Sequence, residues 1–366
     1  MDYECLKKSQ LNSGVLSGYG YALAQHEELG DRQIEFELSI RSNQSVIFIF
    51  GFRGVGQHYR CDIMPSQNLV IIRAIKDGIP VYLQHASLRL ETDTDIRIVW
   101  DAHSIRMLIG KTCFINILCE GIYSGRWGFG VNGDEYRLPE VKVYSEPRHP
   151  YRWVILGDGY SNNRWPNRHF FSWPELAFGH RGDYLNACVA AGNTRRVLEV
   201  IELIQNAFAG ADVILAAGAD DFIEGASSGE SMERIQIIVA RLKILGARSI
   251  NVCAIPPRAC RDGEVIERNI ALRGIAATEF CGFIDFHGVL SENKQLLLVN
   301  GDYPGATAQA AMAVTVLNHL GLDSDLAPLF AVERIPRFRG FAARIARRVV
   351  TELESGLDRL PPAGVS

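Results

Sequence analysis

Positive charge is not in excess in this chain of 366 residues: 38 Lys and Arg stand against 42 Asp and Glu, a formal net charge of −4 with a pI near 6.2. A nucleic-acid-binding protein normally carries a basic surplus, so no nucleic-acid partner is expected. Long apolar runs are missing too, and none approaches the ~20 residues that a membrane-crossing helix needs. The opening MDYECLKKSQLNSG has no apolar stretch of the kind a secretory leader carries. The eight cysteines (Cys5, Cys61, Cys113, Cys119, Cys188, Cys253, Cys260 and Cys281) include no CxxC pair and no zinc-type spacing. They read as reduced, largely buried thiols. These absences lead to the expectation of a cytoplasmic protein with no transmembrane segment, no metal and no cofactor.

What is present is an ordinary globular balance, 47% hydrophobic and 22% charged, over a length that suits about two domains. The first 147 residues read as all-β. Short runs rich in β-branched and aromatic residues recur, among them Gln33–Ile40, Ser45–Phe52, Leu69–Ile75, Ser104–Ile109 and Thr112–Leu118. Ser42-Asn43, Asp77-Gly78 and Asn132-Gly133 punctuate them as turns. About ten such runs without an amphipathic helix predict a β-sandwich of the jelly-roll kind. The stretch IRIVWDAHSIRMLIG, followed by GRWGFGVNG and EVKVY, resembles the back half of laminin-G or concanavalin-like jelly rolls.

The pattern changes after SEPRHPYR at 145–152. Trp153–Leu156, Ala211–Ala216, Ser249–Ile255 and Phe283–Phe286 read as buried strands. Between and after them, Thr194–Ala209, Ser231–Leu245, Glu267–Phe280 and Ala306–Leu320 read as helices, with apolar residues at three- and four-residue steps. Such alternation predicts βαβ units and a mainly parallel sheet, with chemistry at the carboxyl ends of its strands. The expected domains are 1–147, 148–333 and a basic tail 334–366.

The strand ends carry Gly157-Asp158-Gly159-Tyr160-Ser161, Ala191-Gly192-Asn193-Thr194, Gly218-Ala219-Asp220-Asp221 and Asn300-Gly301-Asp302-Tyr303-Pro304. In order and surroundings these blocks resemble those of the SGNH/GDSL hydrolases. VILGDGYS, WPELA, AAGNT, VILAAGADD, IPP and NGDYPGATAQAAMA all fall where that family's blocks fall, over about Trp153–Leu320. The resemblance implies a three-layer αβα domain with a parallel sheet. With the β-rich first half, it also implies a two-domain, carbohydrate-esterase-like chain.

The departures from the family pattern bear on function. Gly159 stands where the family has its nucleophilic serine, and glycine cannot carry an acyl group. Asp220 stands for the oxyanion-hole asparagine, and a carboxylate repels an oxyanion. Asn300 and Tyr303 stand for the catalytic Asp and His, and a phenol is a poor base near neutrality. Only the glycine, Gly192, is kept. Ser161 and His287 are the candidates for rescuing the chemistry, against a turn serine and a packed histidine. Asp158, Asp220, Asp221 and Asp302 could cluster as acids, without a specific ligand spacing.

Beyond the blocks, Arg164 and Trp165 could line a pocket for an anionic or planar ligand. Tyr59, Tyr82, Trp100, Tyr123, Trp127 and Tyr136 could stack on sugars or fill the β core. An arginine-rich helix in the tail could meet an acidic partner or dock on its own domain. The resulting expectation is a degenerate SGNH-like protein. It would bind a carbohydrate, an acylated ligand or a partner through Asp158, Gly192, Asn193, Asp220, Tyr303, Arg164 and Trp165 without turnover. The alternative is an active or repurposed esterase or acyltransferase acting on an acylated sugar or small molecule.

Overall fold

The computed structural model describes residues 3–12, 15–24, 33–40, 45–87, 94–101, 103–119, 121–122, 124–133, 135–146, 150–161, 172–181, 183–189, 192–258, 261–291, 298–299 and 303–323. It gathers into two compact units. Unit 1 takes 1–154, 179–187 and 203–211; unit 2 takes 155–178, 188–202 and 212–366.

Unit 1 is built on two antiparallel sheets. The first contains β1 (Tyr3–Asn12), β2 (Val15–Ala24), β4 (Val46–Gly54), β5 (Gln57–Met64), β6 (Leu69–Lys76), β7 (Ile79–Ser87), β11 (Arg126–Asn132) and β12 (Tyr136–Arg137). Its order is β1-β2-β11-β4-β5-β6-β7, with β12 beside β2. The second runs β10-β9-β8-β3-β13, from β3 (Gln33–Ile40), β8 (Thr94–Trp100), β9 (Ser104–Ile109), β10 (Thr112–Leu118) and β13 (Glu140–Glu146). Alternation along each strand sends one row of side chains inward. Phe36 of β3 meets Phe48 of β4 and Trp127 of β11 with ring centroids 5.1 and 5.6 Å away, and Phe50 meets Trp100 at 5.6 Å. The two sheets therefore share one aromatic core. Tyr59, Trp100 and Trp127 are buried in it, which is the core alternative read for them, and Tyr136 is buried with its hydroxyl donating to the Gly130 oxygen at 2.6 Å. Tyr123 and the side chain of Tyr82 lie outside the described residues.

Glycine is required in β11 by close approach. A Cβ on Gly128 would sit 2.1 Å from the Ala22 carbonyl oxygen of β2, and one on Gly130 would sit 2.9 Å from Ile47. The β1–β2 hairpin is an addition to the strands read from sequence. Its first strand, YECLKKSQLN, has no clean apolar alternation to signal it.

The remaining strands form a five-stranded sheet of order β15-β14-β16-β17-β18. These are β14 (Trp153–Gly157), β15 (Tyr184–Asn186), β16 (Asp212–Ala216), β17 (Ser249–Cys253) and β18 (Gly282–Ile284). β16 pairs β17, and β17 pairs β18, in parallel. All five residues of β14 are buried, as a central strand requires. The helices are α1 (Trp173–Phe178), α2 (Thr194–Leu203), α3 (Ala219–Ile223), α4 (Ser228–Ile244), α5 (Asp262–Thr278), α6 (Phe286–Ser291) and α7 (Ala306–His319). Met232, Ile235, Ile238, Val239 and Leu242 form the buried stripe of α4, which starts at a capping box between Ser227 and Glu230. A short antiparallel pair, β19 (Leu298–Val299) and β20 (Tyr303–Pro304), precedes α7.

Of this sheet's strands, the first in the chain, β14, has the second, β15, on one side and the third, β16, on the other. The order reverses there, which makes the carboxyl ends of β14 and β16 the switch point of the sheet. Among the described residues no helix is long and apolar enough to cross a membrane. The arginine-rich segment after 333 lies outside the described residues.

Candidate functional site at the strand ends

Gly157 ends β14 against β16, where a Cβ would meet the Ala216 oxygen at 2.3 Å. That close approach lets the Asp158 N–H donate to the Ala216 carbonyl at 3.1 Å. The Asp158 carboxylate is buried, and it accepts from the backbone N–H groups of Ala219 (2.9 Å), Tyr160 (3.3 Å) and Asp220 (3.4 Å). It thereby pins the loop after β14 to the start of α3. Burial, and then the charge of Asp220, push its carboxyl well above the ordinary range, against the pull of those three N–H groups.

Asp220 turns its carboxylate toward the first block. Its Oδ2 accepts the Gly159 N–H at 3.0 Å. Burial raises its pKa most, and the N–H groups of Gly159 and Gly192 oppose that rise. The Asp220 carboxyl thus occupies the backbone donor of the first block. Gly192 itself is fixed by packing: its N–H reaches the Val189 oxygen at 3.1 Å, and a Cβ would lie 2.7 Å from that atom.

Asn193 is a helix cap. Its Oδ1 accepts from Arg196 N at 3.0 Å, and its amide donates to Glu224 at 2.6 Å. Asp221 is fully buried, accepts from the N–H and hydroxyl of Thr194 (both 2.7 Å), and faces Arg234 at 3.3 Å. It fastens the start of α2 to α3.

Ser161 and His287 are held by separate partners. Ser161 is 0% exposed, and its Oγ accepts the indole N–H of Trp173 at 2.9 Å. The residue sits in a turn, with its N–H on the Asp158 oxygen at 3.1 Å. His287 lies inside α6, one residue past its start, and its Nε2 is 3.3 Å from Asp262 of α5. Tyr303 stands over Tyr160, with ring centroids 5.2 Å apart. Asn300, Asp302, Arg164 and Trp165 lie outside the described residues.

Sequence reasoning passed over two residues. Arg258 is buried, lies 5.0 Å from the centre of the Phe222 ring and reaches the Tyr160 hydroxyl at 3.4 Å. Gln309 of α7 accepts the Trp173 N–H at 2.7 Å and donates to the Tyr160 oxygen at 3.1 Å. Arg258 directly follows the Pro256-Pro257 stop of β17, a strand-end position that could have flagged it. Gln309 sits in the Ala-rich helix start and offers no such signal. Chemically, these described residues supply two buried acids held by backbone N–H groups, two phenols and a guanidinium, and no aliphatic hydroxyl poised for attack.

The fold and the site together define an α/β protein whose candidate site lies at the carboxyl ends of a sheet's switch-point strands. No family model matches the chain, and no curated protein matches it. Similar solved structures include a member of the lipolytic G-D-S-L family from Veillonella parvula, at 17% identity over 45% of this chain and 96% of that one, with a TM-score of 0.41. Axe2, an acetylxylan esterase from Geobacillus stearothermophilus, is similar at 12% identity over 47% and 94%, with a TM-score of 0.41. LAE5, an alpha/beta hydrolase enzyme from the metagenome of Lake Arreo, is similar at 14% identity over 46% and 94%, with a TM-score of 0.40.

Proposed function

We propose that this chain is a non-hydrolytic protein of the SGNH-like type. Its two units correspond to a jelly-roll half and an αβα half, and it binds a carbohydrate or acylated ligand without ester turnover. One observation carries the reading: Gly159 has no nucleophile, and its N–H is already taken by the Asp220 carboxylate. An ester hydrolase needs donors left open for a developing oxyanion. Here the Gly159 donor is already held by the Asp220 carboxyl, so a tetrahedral intermediate would find it taken. The hydroxyl nearest in sequence, Ser161, is buried under Trp173. A residual esterase built on Ser161 and His287 would need both to leave their present partners.

The test is turnover of 4-nitrophenyl acetate and acetylated xylo-oligosaccharides, together with labelling by a serine-reactive fluorophosphonate. The native chain is expected to match the buffer rate and to take no label. Turnover or labelling that disappears in Ser161→Ala or His287→Ala would overturn the proposal.

A further inference from the structure

Unit 2 carries an exposed apolar face on α4 and α5. The two helices lie side by side: Arg268 of α5 donates to the Ser231 hydroxyl of α4 at 3.1 Å, and Lys243 of α4 meets Glu279, just past α5, at 2.6 Å. Each turns a buried stripe inward, and the opposite side of such a helix is ordinarily polar. Here it carries Ile237 and Ile244 on α4, Ile266 and Ile270 on α5, and Phe280 after α5, from 43% (Ile266) to 97% (Phe280) exposed. Steps of seven and of four residues put each isoleucine pair on one side of its helix. Large apolar side chains gathered on two neighbouring helices form a patch, unlike the scattered exposure of an ordinary surface. Glu233 and Glu267 stand in the same face, one turn before Ile237 and Ile270. Both are exposed and carry no ion pair among the described residues.

The chain leaves α7 beside this face. His319, the last residue of α7, has its Nε2 2.9 Å from Asn251 Oδ1 of β17, and a Cβ on Gly282, the first residue of β18, would lie 3.0 Å from the same nitrogen. Phe280 comes two residues before Gly282, and Ile244 adjoins Lys243, the partner of Glu279. So α7 finishes at the end of the sheet where Ile244 and Phe280 lie, and the described chain stops at Asp323. Residues 324–340 span up to about 55 Å when extended. The α4 and α5 helices, with 17 residues each, are about 25 Å long. After Gly340 the sequence runs FAARIARRVVTELES, residues 341–355. In it Ala342, Ile345, Val349 and Leu353 recur at three- and four-residue steps, the apolar stripe of a helix, and Arg344 and Arg348 stand beside that stripe one turn apart.

We propose that residues 341–355 dock as an amphipathic helix on the outward face of α4 and α5. The stripe of the tail covers the isoleucines and Phe280, and Arg344 and Arg348 meet Glu233 and Glu267. Reach, apolar pattern and charge all agree on this occupant. A second copy offering the same face would bring the same two acids to the contact. The cations of that face are already paired, Lys243 with Glu279 and Arg273 with Asp285 at 2.7 Å. An anionic lipid surface would meet the two acids as like charge. The proposal lies within unit 2 and is independent of the ligand reading above.

Chymotrypsin cleavage after Phe341 and Leu353 of the full chain, followed by mass spectrometry, tests it. Proteolysis of a docked segment tracks the population in which it is released, so cleavage should be at least about tenfold slower than in a synthetic peptide of residues 334–360. Ile237→Asp/Ile270→Asp should bring the rate to within about twofold of the peptide's while the near-ultraviolet spectrum stays native. Val55→Asp, which alters an exposed apolar residue of unit 1, should change nothing. Glu233→Lys/Glu267→Lys should raise cleavage about threefold or more, and adding Arg344→Glu/Arg348→Glu should restore protection. Peptide-like cleavage of the native chain overturns the proposal. So does protection that persists in Ile237→Asp/Ile270→Asp, or a charge swap that restores nothing. Protection lost on dilution, as sedimentation shows a dimer dissociating, would assign the face to a second copy instead.

Discussion

A carboxylate at position 220 changes what the backbone around it can do. The Gly159 N–H donates to it at 3.0 Å, while Asp158 lies close enough for the two charges to feel each other. Both carboxyls are raised by burial first. A buried acid with a raised pKa keeps its proton in the folded state at a pH where the unfolded chain, with Asp near 3.9, has lost it. The folded state then binds more protons than the unfolded one, so stability falls as pH rises from the ordinary carboxylate range through the raised values. Asp220→Asn removes one of the two acids and keeps an oxygen to accept the Gly159 N–H. Thermal melts between pH 4 and 8 should show the native chain losing ground to Asp220→Asn as pH rises. Parallel curves would mean that the pair does not titrate. The sequence alone displayed Asp in place of an amide and the incompatibility with an oxyanion. It could not display the Gly159 bond, because that depends on Gly157 letting β14 approach the end of β16 within a side chain's width.

The helices and strands show a similar boundary between what periodicity reveals and what it hides. The stripe Met232, Ile235, Ile238, Val239 and Leu242 announces α4, and Ala306–Leu320 announces α7 to within a residue. Inside α7, Gln309 is 0% exposed, against every expectation from composition. Its amide joins the first N–H of α1 to the Tyr160 carbonyl beside Gly159, so α7 holds two other elements through one side chain. Gln309→Met preserves volume and removes both bonds. Each buried group left without this partner costs about 1–3 kcal/mol. Urea unfolding should therefore place Gln309→Met about 2–6 kcal/mol below the native chain, with an unchanged m-value. A shift under about 0.5 kcal/mol, the size of an ordinary surface substitution, would refute this bridging role.

The order of elements along the chain was readable from local patterning: turn-bounded β runs first, then strands alternating with helices. Long-range packing was not readable, because no local signal says which unit a connecting segment joins. Residues 179–187 and 203–211 belong to unit 1 although they lie far beyond residue 147. Three contacts show what they and Tyr151 contribute. The buried Cys113 N–H donates to the Gly179 oxygen at 2.7 Å, and the buried Asn116 amide to the Tyr184 oxygen at 2.9 Å. The Tyr151 hydroxyl donates to the buried Asp101 carboxylate, with both oxygens within 2.8 Å. A fragment ending at 147 keeps the aromatic core and loses all three bonds, at about 0.5–1.5 kcal/mol each, although Asp101 still accepts from the His103 and Ser104 N–H groups. A fragment ending at 154 recovers only the Tyr151 bond. Denaturant midpoints should therefore rank the transition of the β sheets highest in the full chain, lower in 1–154 and lowest in 1–147. Near-ultraviolet circular dichroism follows that transition through Trp100 and Trp127. If 1–147 unfolds at the same midpoint as the full chain, the later segments add nothing to unit 1. The β half would then be an independent folding unit ending at the break read from sequence. If the ranking holds, the connecting segments are structural parts of unit 1, and a separable β domain has to be cut with them included.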